Sequence, residues 1–171
     1  MDIMEANDKV LSLEALAEEI SKAKENGLIV GLCHGCFDIL HFGHLKHFEA
    51  AAKLVDKLIV TVTPDEFVNK GPHRPVFTAQ QRSELIGGLS VVHRVGINKW
   101  PSAVETIKML KPSCFIKGQE YETNAQNVNP GFFAEKEAIE AEGGKVVFTY
   151  EATSSSTSAF KRLTEVEALA S

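Results

Sequence analysis

The stretch LIVGLCHGCFDILHFGH, residues 28–44, carries the features that decide the fold. Its first part is an apolar and partly β-branched run, which predicts a buried strand. A turn rich in glycine and histidine follows, and Leu45, Phe48 and Ala52 then recur at the spacing of one helix face. A strand, a glycine-containing turn and a helix in this order indicate an α/β protein.

The same alternation continues through the rest of the chain. Apolar runs predict four further strands, near residues 57–63, 91–97, 113–116 and 145–150. Helical spacing predicts helices near 12–26, 79–89, 101–110 and 133–142, and a polar loop over 118–131. We therefore predict a Rossmann-like three-layer α/β sandwich with a five-stranded parallel sheet.

We divide the chain into two parts. Residues 1–27 are predicted to be an N-terminal extension and helix, and residues 28–171 are predicted to form the domain that carries the site. In parallel sheets covered by helices, ligands bind beyond the carboxyl ends of the strands, where the strand order reverses. Functional side chains are therefore expected at that edge.

The composition narrows the class of protein. The chain has 171 residues, of which 44% are hydrophobic and 24% charged, as in ordinary globular domains. A formal net charge of -5 argues against binding to nucleic acid or to an anionic membrane, although a few cations can still hold a small anion. No run reaches the roughly 20 apolar residues of a membrane helix. The N-terminus is acidic, unlike a secretory signal, and three cysteines cannot all pair, so we expect a cytoplasmic protein.

The segment GCFDILHFGH, residues 35–44, has the chemistry of an anion site. It lies where the first predicted strand ends and a helix begins. Backbone N–H groups at a helix start favour an anion, and glycine lets the backbone approach it closely. Together with these groups, the imidazoles of His41 and His44 suit a phosphate whose charge grows during a reaction.

The same segment matches the GxFDxxHxGH signature of the cytidylyltransferase-like nucleotidyltransferases. This superfamily includes glycerol-3-phosphate cytidylyltransferases and the nucleotidyltransferase domain of ADP-heptose synthases. Three later segments resemble family motifs in the family's order: NKGPHRPVFTAQQR at 69–82, KPSCFIKGQEY at 111–121 and SSST at 154–157. Because the matches together cover roughly residues 28–163, the resemblance identifies residues 28–171 as a nucleotidyltransferase domain.

The resemblance implies a reaction. An acceptor phosphate attacks the α-phosphorus of a nucleoside triphosphate in line, and pyrophosphate leaves without a covalent enzyme intermediate. It also implies Mg²⁺ held mainly by the phosphates rather than by a protein metal site. The expected partners are a nucleoside triphosphate and a phosphorylated small-molecule acceptor. Relatives are commonly homodimers, and the heptose branch is often fused to a sugar kinase.

The resemblance also assigns roles to residues. The expected catalytic residues are His41, His44, Lys46 and Arg82. Of these, the histidines stabilise the transition state, Lys46 neutralises phosphate charge and Arg82 grips the triphosphate with bidentate contacts. The expected nucleotide-binding residues are Gly35, Cys36, Phe37, Asp38, Gly43, Lys70, Lys117, Gly118, Glu120, Tyr121, Ser155, Ser156 and Thr157. Within this set, Asp38 is expected to order the turn rather than to act as a base.

Departures from the family pattern bear on the substrate. Glu120 stands where the family has aspartate, and residues 151–153 lack the arginine that precedes the late motif in glycerol-3-phosphate enzymes. The missing arginine favours a heptose 1-phosphate-like sugar phosphate, with ATP or CTP as donor. Lys46 matches the glycerol-3-phosphate enzymes instead, so glycerol 3-phosphate or another polyol phosphate remains an alternative.

Two interpretations from other classes stay open at this point. The chain could be a non-catalytic nucleotide-binding module, although such a module need not keep both histidines and Arg82. The CxxC spacing of Cys33 and Cys36 could indicate zinc or redox chemistry. Because no second ligand pair accompanies it, buried unreactive thiols are the preferred interpretation. His47 has no motif support, so we expect it to be structural or solvent-facing.

Overall fold

The computed structural model describes residues 5–123 and 130–151. These residues form a parallel sheet in the order β1-β4-β3-β2-β5-β6. The strands are β1 Val10–Leu11, β2 Val30–Gly35, β3 Lys57–Val62, β4 Arg94–Ile97, β5 Cys114–Gly118 and β6 Lys145–Thr149. The helices are α1 Leu13–Glu25, α2 Phe42–Ala52, α3 Ala79–Gly87, α4 Val104–Leu110, α5 Gln119–Thr123 and α6 Pro130–Ala141.

The sheet has six strands in the described residues, so the prediction of five was wrong by one. The additional strand, β1, has only two residues, Val10 and Leu11, which pair with Val95 and Gly96 of β4. Two residues are too few to show strand periodicity in the sequence. The short strand forms because the edge of β4 offers unpaired backbone groups.

Helices cover both faces of the sheet, which confirms the three-layer α/β architecture. On one face, apolar side chains of α1, α4 and α6 pack against strand residues such as Leu32 and Phe115. On the other, α2 and α3 pack against residues such as Val60 and Ile116. The strands are therefore apolar on both faces, as their continuous hydrophobic runs predict.

Local signals set the bounds of most helices. The Ser12 side chain accepts a hydrogen bond from the Ala15 amide (3.1 Å) and begins α1, and Gly27 follows that helix with a φ of 78°.

Two predictions of element bounds were less accurate. The predicted helix 101–110 begins only at Val104, and the predicted polar loop 118–131 contains α5 and the first two residues of α6. Within the described residues, no helix is long and apolar enough to cross a membrane.

Candidate active site

The strand order reverses at β2. The chain builds β2, β3 and β4 towards one edge and then crosses back to place β5 and β6 on the other side. In such sheets a crevice opens beyond the carboxyl ends of the strands on either side of the reversal, here β2 and β5. The turn that leaves β2 leads directly into α2, and His41 is the N-cap residue of that helix.

His41 and His44 form a stacked pair at the start of α2. Their ring centroids lie 3.8 Å apart with an interplanar angle of 27°. The Gly43 amide donates to Nδ1 of His41 (3.1 Å), and the His41 amide donates to Nδ1 of His44 (3.3 Å). Because each Nδ1 accepts a backbone hydrogen bond, the proton of each neutral ring lies on Nε2.

The electrostatic environment keeps both rings neutral. Burial lowers the pKa of His44 to about 3, and the charges of His41, Lys70 and His47 add to this effect. Burial and Lys70 also lower the pKa of His41. Lys70, in the loop after β3, thus contributes to the lowered pKa of both rings. Neutral imidazoles and one nearby ammonium group suit a phosphate ligand.

Phe37 supports the pair from inside the protein. Its backbone is left-handed (φ 49°), and its ring makes an edge contact with His44 at a centroid distance of 5.2 Å. It also packs on Phe48 and is only 9% exposed. A Cβ on Gly35 would lie 2.8 Å from the Phe37 ring, which is why glycine is needed there. Phe37 therefore sits in the core rather than on a ligand-facing surface.

The Asp38 carboxylate joins two loops. It is buried and accepts hydrogen bonds from Arg74 Nε, the Val76 amide (2.6 Å) and the Phe77 amide (3.3 Å). Burial alone would raise the pKa of this carboxyl, but the hydrogen bonds from Arg74 and the two amides lower it overall. Its contacts are those of a group that orders the turn, because they connect the β2–α2 loop to the segment that begins α3.

Arg82 is placed differently from our expectation of a bidentate grip on the triphosphate. Its side chain is fully buried. Its nitrogens donate to the carbonyls of Cys36 (2.6 Å), Thr63 (2.8 Å) and Phe77 (3.0 Å) and to the Asp65 carboxylate (2.7 Å). The guanidinium thus makes its hydrogen bonds within the protein. It fastens the loops after β2 and β3 to the start of α3, so its role in this structure is to position the loops around the site.

Lys46 lies on α2 but pairs away from the histidines. Its ammonium group contacts the Glu49 carboxylate at 2.7 Å and lies 5.3 Å from the centroid of the Phe42 ring. The side chain is 40% exposed. It remains a candidate for phosphate binding only if the contact with Glu49 is exchanged for a ligand.

The expected nucleotide-binding residues of β5 and α5 lie together at the carboxyl end of the sheet. The nearly buried Lys117 forms an ion pair with Glu135 (3.1 Å), and its ammonium group lies 4.7 Å from the Tyr121 ring centroid. A Cβ on Gly118 would collide with the Glu120 carboxylate, which therefore folds back over this glycine. Ser155, Ser156 and Thr157 lie outside the described residues.

Two histidines that sequence reasoning did not select lie close to this edge. His34 Nδ1 lies 2.9 Å from Thr61 Oγ1, and burial, followed by Lys117, lowers the pKa of His34 to about 3. His47 Nδ1 lies 2.8 Å from Thr149 Oγ1 and 3.1 Å from Glu151 Oε1. The sequence could have indicated His47 by its spacing, because residues three apart, such as His44 and His47, share a helix face.

The Cys33 and Cys36 pair has no feature of a metal or redox site here. Both thiols are free. Cys33 is buried in β2, and burial raises its pKa. Its sulfur lies 3.5 Å from His47 Nε2. A buried protonated thiol is a weak nucleophile and a poor metal ligand. Within residues 5–123 and 130–151, no group of three or more His, Cys, Asp or Glu side chains could hold a metal ion.

A doubly wound parallel sheet with imidazoles, a lysine and a helix start at its switch point defines a nucleotide-binding α/β protein. A family model described as cytidylyltransferase-like matches residues 32–162. The chain therefore belongs to the cytidylyltransferase-like family, and it is an enzyme of the nucleotidyltransferase class.

Similar proteins come from several bacteria. The bifunctional protein HldE of Trichlorobacter lovleyi is 33% identical over 144 residues, which are 83% of this chain and 28% of that protein. HldE of Vibrio cholerae is 37% identical over 150 residues, 86% of this chain and 30% of that protein. The chain thus spans less than a third of the length of these relatives.

Solved structures give the same picture of the fold. The lipopolysaccharide core biosynthesis protein from Thermoplasma volcanium matches with a TM-score of 0.59 and 26% identity over 75% of this chain and all of that chain. Pantoate-beta-alanine ligase from Francisella tularensis matches with a TM-score of 0.57 and 12% identity over 85% of this chain and 67% of its own. At that identity, the second match shows the fold alone.

Proposed function

We propose that the enzyme transfers a nucleoside monophosphate from ATP or CTP to a sugar phosphate resembling heptose 1-phosphate and releases pyrophosphate. The observation that carries this proposal is the stacked, neutral pair His41 and His44 at the start of α2, with Lys70 close enough to influence both. This arrangement offers hydrogen-bond donors and one positive charge to a phosphate at the switch point of the sheet.

The proposed chemistry is a single in-line displacement. An oxygen of the acceptor phosphate forms a bond to the α-phosphorus, the bond from that phosphorus to the oxygen bridging to the β-phosphate breaks, and pyrophosphate leaves with the bonding electrons. No covalent enzyme intermediate is required. Catalysis then rests on positioning and on stabilising negative charge.

The residues of this chain supply donors rather than a nucleophile. Nε2–H groups of His41 and His44 donate to oxygens of the reacting phosphates, and backbone N–H groups at the start of α2 face the same charge. Lys70 adds positive charge. Imidazoles and ammonium groups suit phosphate oxygens, and Mg²⁺ bound to those oxygens would supply further charge neutralisation. Residues 117–121 and the late Ser155, Ser156 and Thr157 are proposed to contact the nucleotide.

The substrate class rests on similarity. The HldE relatives and the resemblance of residues 111–121 to the heptose branch support a sugar phosphate acceptor. The similar protein from Thermoplasma volcanium is a lipopolysaccharide core biosynthesis protein, and this likeness supports the same acceptor class. We further propose that a sugar kinase supplies the acceptor, whether on the same chain or separately, and that the enzyme acts in the cytoplasm as a homodimer.

A pyrophosphate-release assay tests the proposal. The purified protein would be incubated with Mg²⁺, ATP or CTP, and either heptose 1-phosphate, glycerol 3-phosphate or no acceptor. We expect release that depends on the sugar phosphate with one of the two triphosphates. Faster release with glycerol 3-phosphate would favour a polyol phosphate acceptor, and triphosphate binding without release from any pair would indicate a non-catalytic module.

The His44→Ala variant tests the site in the same assay. Loss of one transition-state donor is expected to lower kcat by about 10²–10³. Triphosphate binding, measured by calorimetry, should weaken much less because the donor acts mainly on the charge that develops during the reaction. Unchanged turnover in this variant would remove the imidazole pair from the mechanism.

A further inference from the structure

A cavity lies at the opposite end of the sheet from His41 and His44. It has a volume of about 370 Å³, which falls in the range of small-ligand sites. It is found where β3 and β4 begin, whereas the two histidines follow the carboxyl end of β2. At about 3.3 Å per residue, the length of β3 separates the two places by roughly 17 Å.

We call this cavity the amino-end groove. Its polar lining includes Lys9, Ser90, His93 and Arg94, and its apolar lining includes Val55 and Leu58. It thus combines cationic groups with apolar surface, as sites for small organic anions do. Among the lining residues, Lys9 precedes the range matched by the family model, residues 32–162, and the others lie within it.

Lys9 is held over the groove by backbone carbonyls. Its ammonium group donates to the carbonyls of Leu89 (3.0 Å) and Val92 (2.9 Å). These two bonds use two of the three N–H groups of an ammonium. Burial and the nearby Arg94 guanidinium lower the pKa of Lys9. Two cations are therefore held close enough to repel each other, and a bound anion would relieve that repulsion.

The carboxylates around the groove are already occupied. Glu19 contacts His93 Nε2 (2.6 Å), Arg94 Nε (2.9 Å) and Lys57 Nζ (3.6 Å). One carboxylate is therefore shared by two permanent cations and a histidine. Since Lys9 bonds only to carbonyls, the part of the chain that the structure describes leaves its charge without a carboxylate partner.

Asp56, the carboxylate that lines the groove, makes a hydrogen bond that joins two segments of the protein. Its Oδ2 accepts the Ile29 amide at 2.7 Å, a bond that joins the start of β3 to the segment before β2. The lining residues include two permanent cations, Lys9 and Arg94, and one carboxylate, Asp56, which is an excess of one positive charge. The protein as a whole has a formal net charge of -5, so this excess is local.

We propose that the amino-end groove is a second binding site, for a small organic phosphate whose charged group meets Lys9 and Ser90 and whose apolar part lies against Val55 and Leu58. The site is separate from the proposed transfer reaction and does not depend on it. Its ligand is recognised by one phosphate charge together with an apolar body, rather than by a triphosphate.

Titration of the full, ¹⁵N-labelled chain with phenyl phosphate tests this site by amide chemical shifts. We expect saturable shifts of the amides of residues 90–94, and at least tenfold weaker binding of phenol, which lacks the anion. Lys9→Gln should weaken phenyl phosphate binding at least fivefold. Lys22→Gln removes the same charge from an exposed position on α1 and should change the affinity less than twofold.

A second variant tests the site independently of Lys9→Gln, whose effect could also come from a folding defect. Ser90 is exposed, so Ser90→Asp should fold normally while its carboxylate repels the ligand and abolishes the shifts at residues 90–94. Shifts confined to residues near His41 and His44, equal effects of the two lysine variants, or no saturable shifts in the native chain would each overturn the proposal. Loss of pyrophosphate release would not, because it reports only on the proposed reaction.

Discussion

At the scale of single residues, hydrogen bonds from the backbone fix the tautomers of His41 and His44. Each Nδ1 accepts a main-chain amide, so each neutral ring keeps its proton on Nε2. Burial lowers the pKa of both rings, which are therefore neutral and can donate only through Nε2–H. A nucleophilic role would instead need an unprotonated nitrogen facing the substrate. The spacing of the motif reveals the pair, but only the hydrogen bonds reveal its tautomer.

Arg82 gives the sharpest prediction at this scale. Replacing it with lysine leaves buried carbonyls of Cys36, Thr63 and Phe77 with fewer donors, so we expect Arg82→Lys to lower the free energy of unfolding by about 2–4 kcal/mol. Urea denaturation measures this loss. A direct grip on the triphosphate predicts the opposite pattern, in which stability is unchanged and triphosphate affinity falls.

At the scale of elements, the β2–α2 turn and the loops around it act as one unit. Asp38 binds the segment before α3, and Arg82 of α3 binds the loops that follow β2 and β3. These hydrogen bonds hold the loops at the carboxyl ends of β2 and β3 and the segment before α3 together, next to the start of α2. The motif segments 35–44 and 69–82 are therefore parts of one scaffold at this end of the sheet.

Gly35→Ala tests the fit inside that turn. An added Cβ would lie 2.8 Å from the Phe37 ring, which supports His44, so the ring must shift. We expect turnover to fall at least tenfold together with a lower melting temperature. Gly88→Ala is the matched control, because its Cβ would be 3.4 Å from the nearest atom at a helix end distant from the site. Equal behaviour of the two variants would contradict the packing argument.

The accuracy of the sequence predictions also differs by element. The long apolar strands and the capped helices were predicted close to their observed bounds, because their signals lie within a few neighbouring residues. The two-residue β1 was missed, and Pro101 was taken as the first turn of a helix that begins at Val104. In both cases contacts distant in sequence are involved: β1 pairs with β4, and Glu135 accepts the amide of Ala103, which precedes the first residue of the helix.

At the scale of the whole molecule, burial of neutral histidines couples stability to pH. His34 has its pKa lowered to about 3 by burial, followed by the charge of Lys117, whereas an unfolded histidine titrates near 6.5. Below pH 6.5 the unfolded chain therefore takes up a proton that the native protein does not. The contribution of His34 to the free energy of unfolding is therefore complete above this pH, and it decreases as the pH falls towards 3.

Urea denaturation between pH 7 and pH 5 checks this dependence, above the range in which carboxyl groups titrate. We expect the free energy of unfolding to decrease with falling pH, with His34 contributing a slope that approaches about 1.4 kcal/mol per pH unit and His44, whose pKa is also lowered to about 3, adding to it. The slope should become smaller in His34→Gln and stay unchanged in the variant of an exposed histidine, His73→Gln. Equal slopes in the native protein and His34→Gln would show that this ring does not bind its proton differently in the two states.

The sequence by itself determined the α/β class, the positions of the five longer strands along the chain and the position of His41 and His44 after the first of them. Each of these follows from patterns within a few residues, namely apolar runs, caps and a compact motif. Tertiary structure decided the rest, including the burial of Arg82 and the contact of His47 with Thr149 and Glu151. The partners of these side chains lie far away in sequence, and they meet only because parallel strands bring their carboxyl ends to one edge of the sheet.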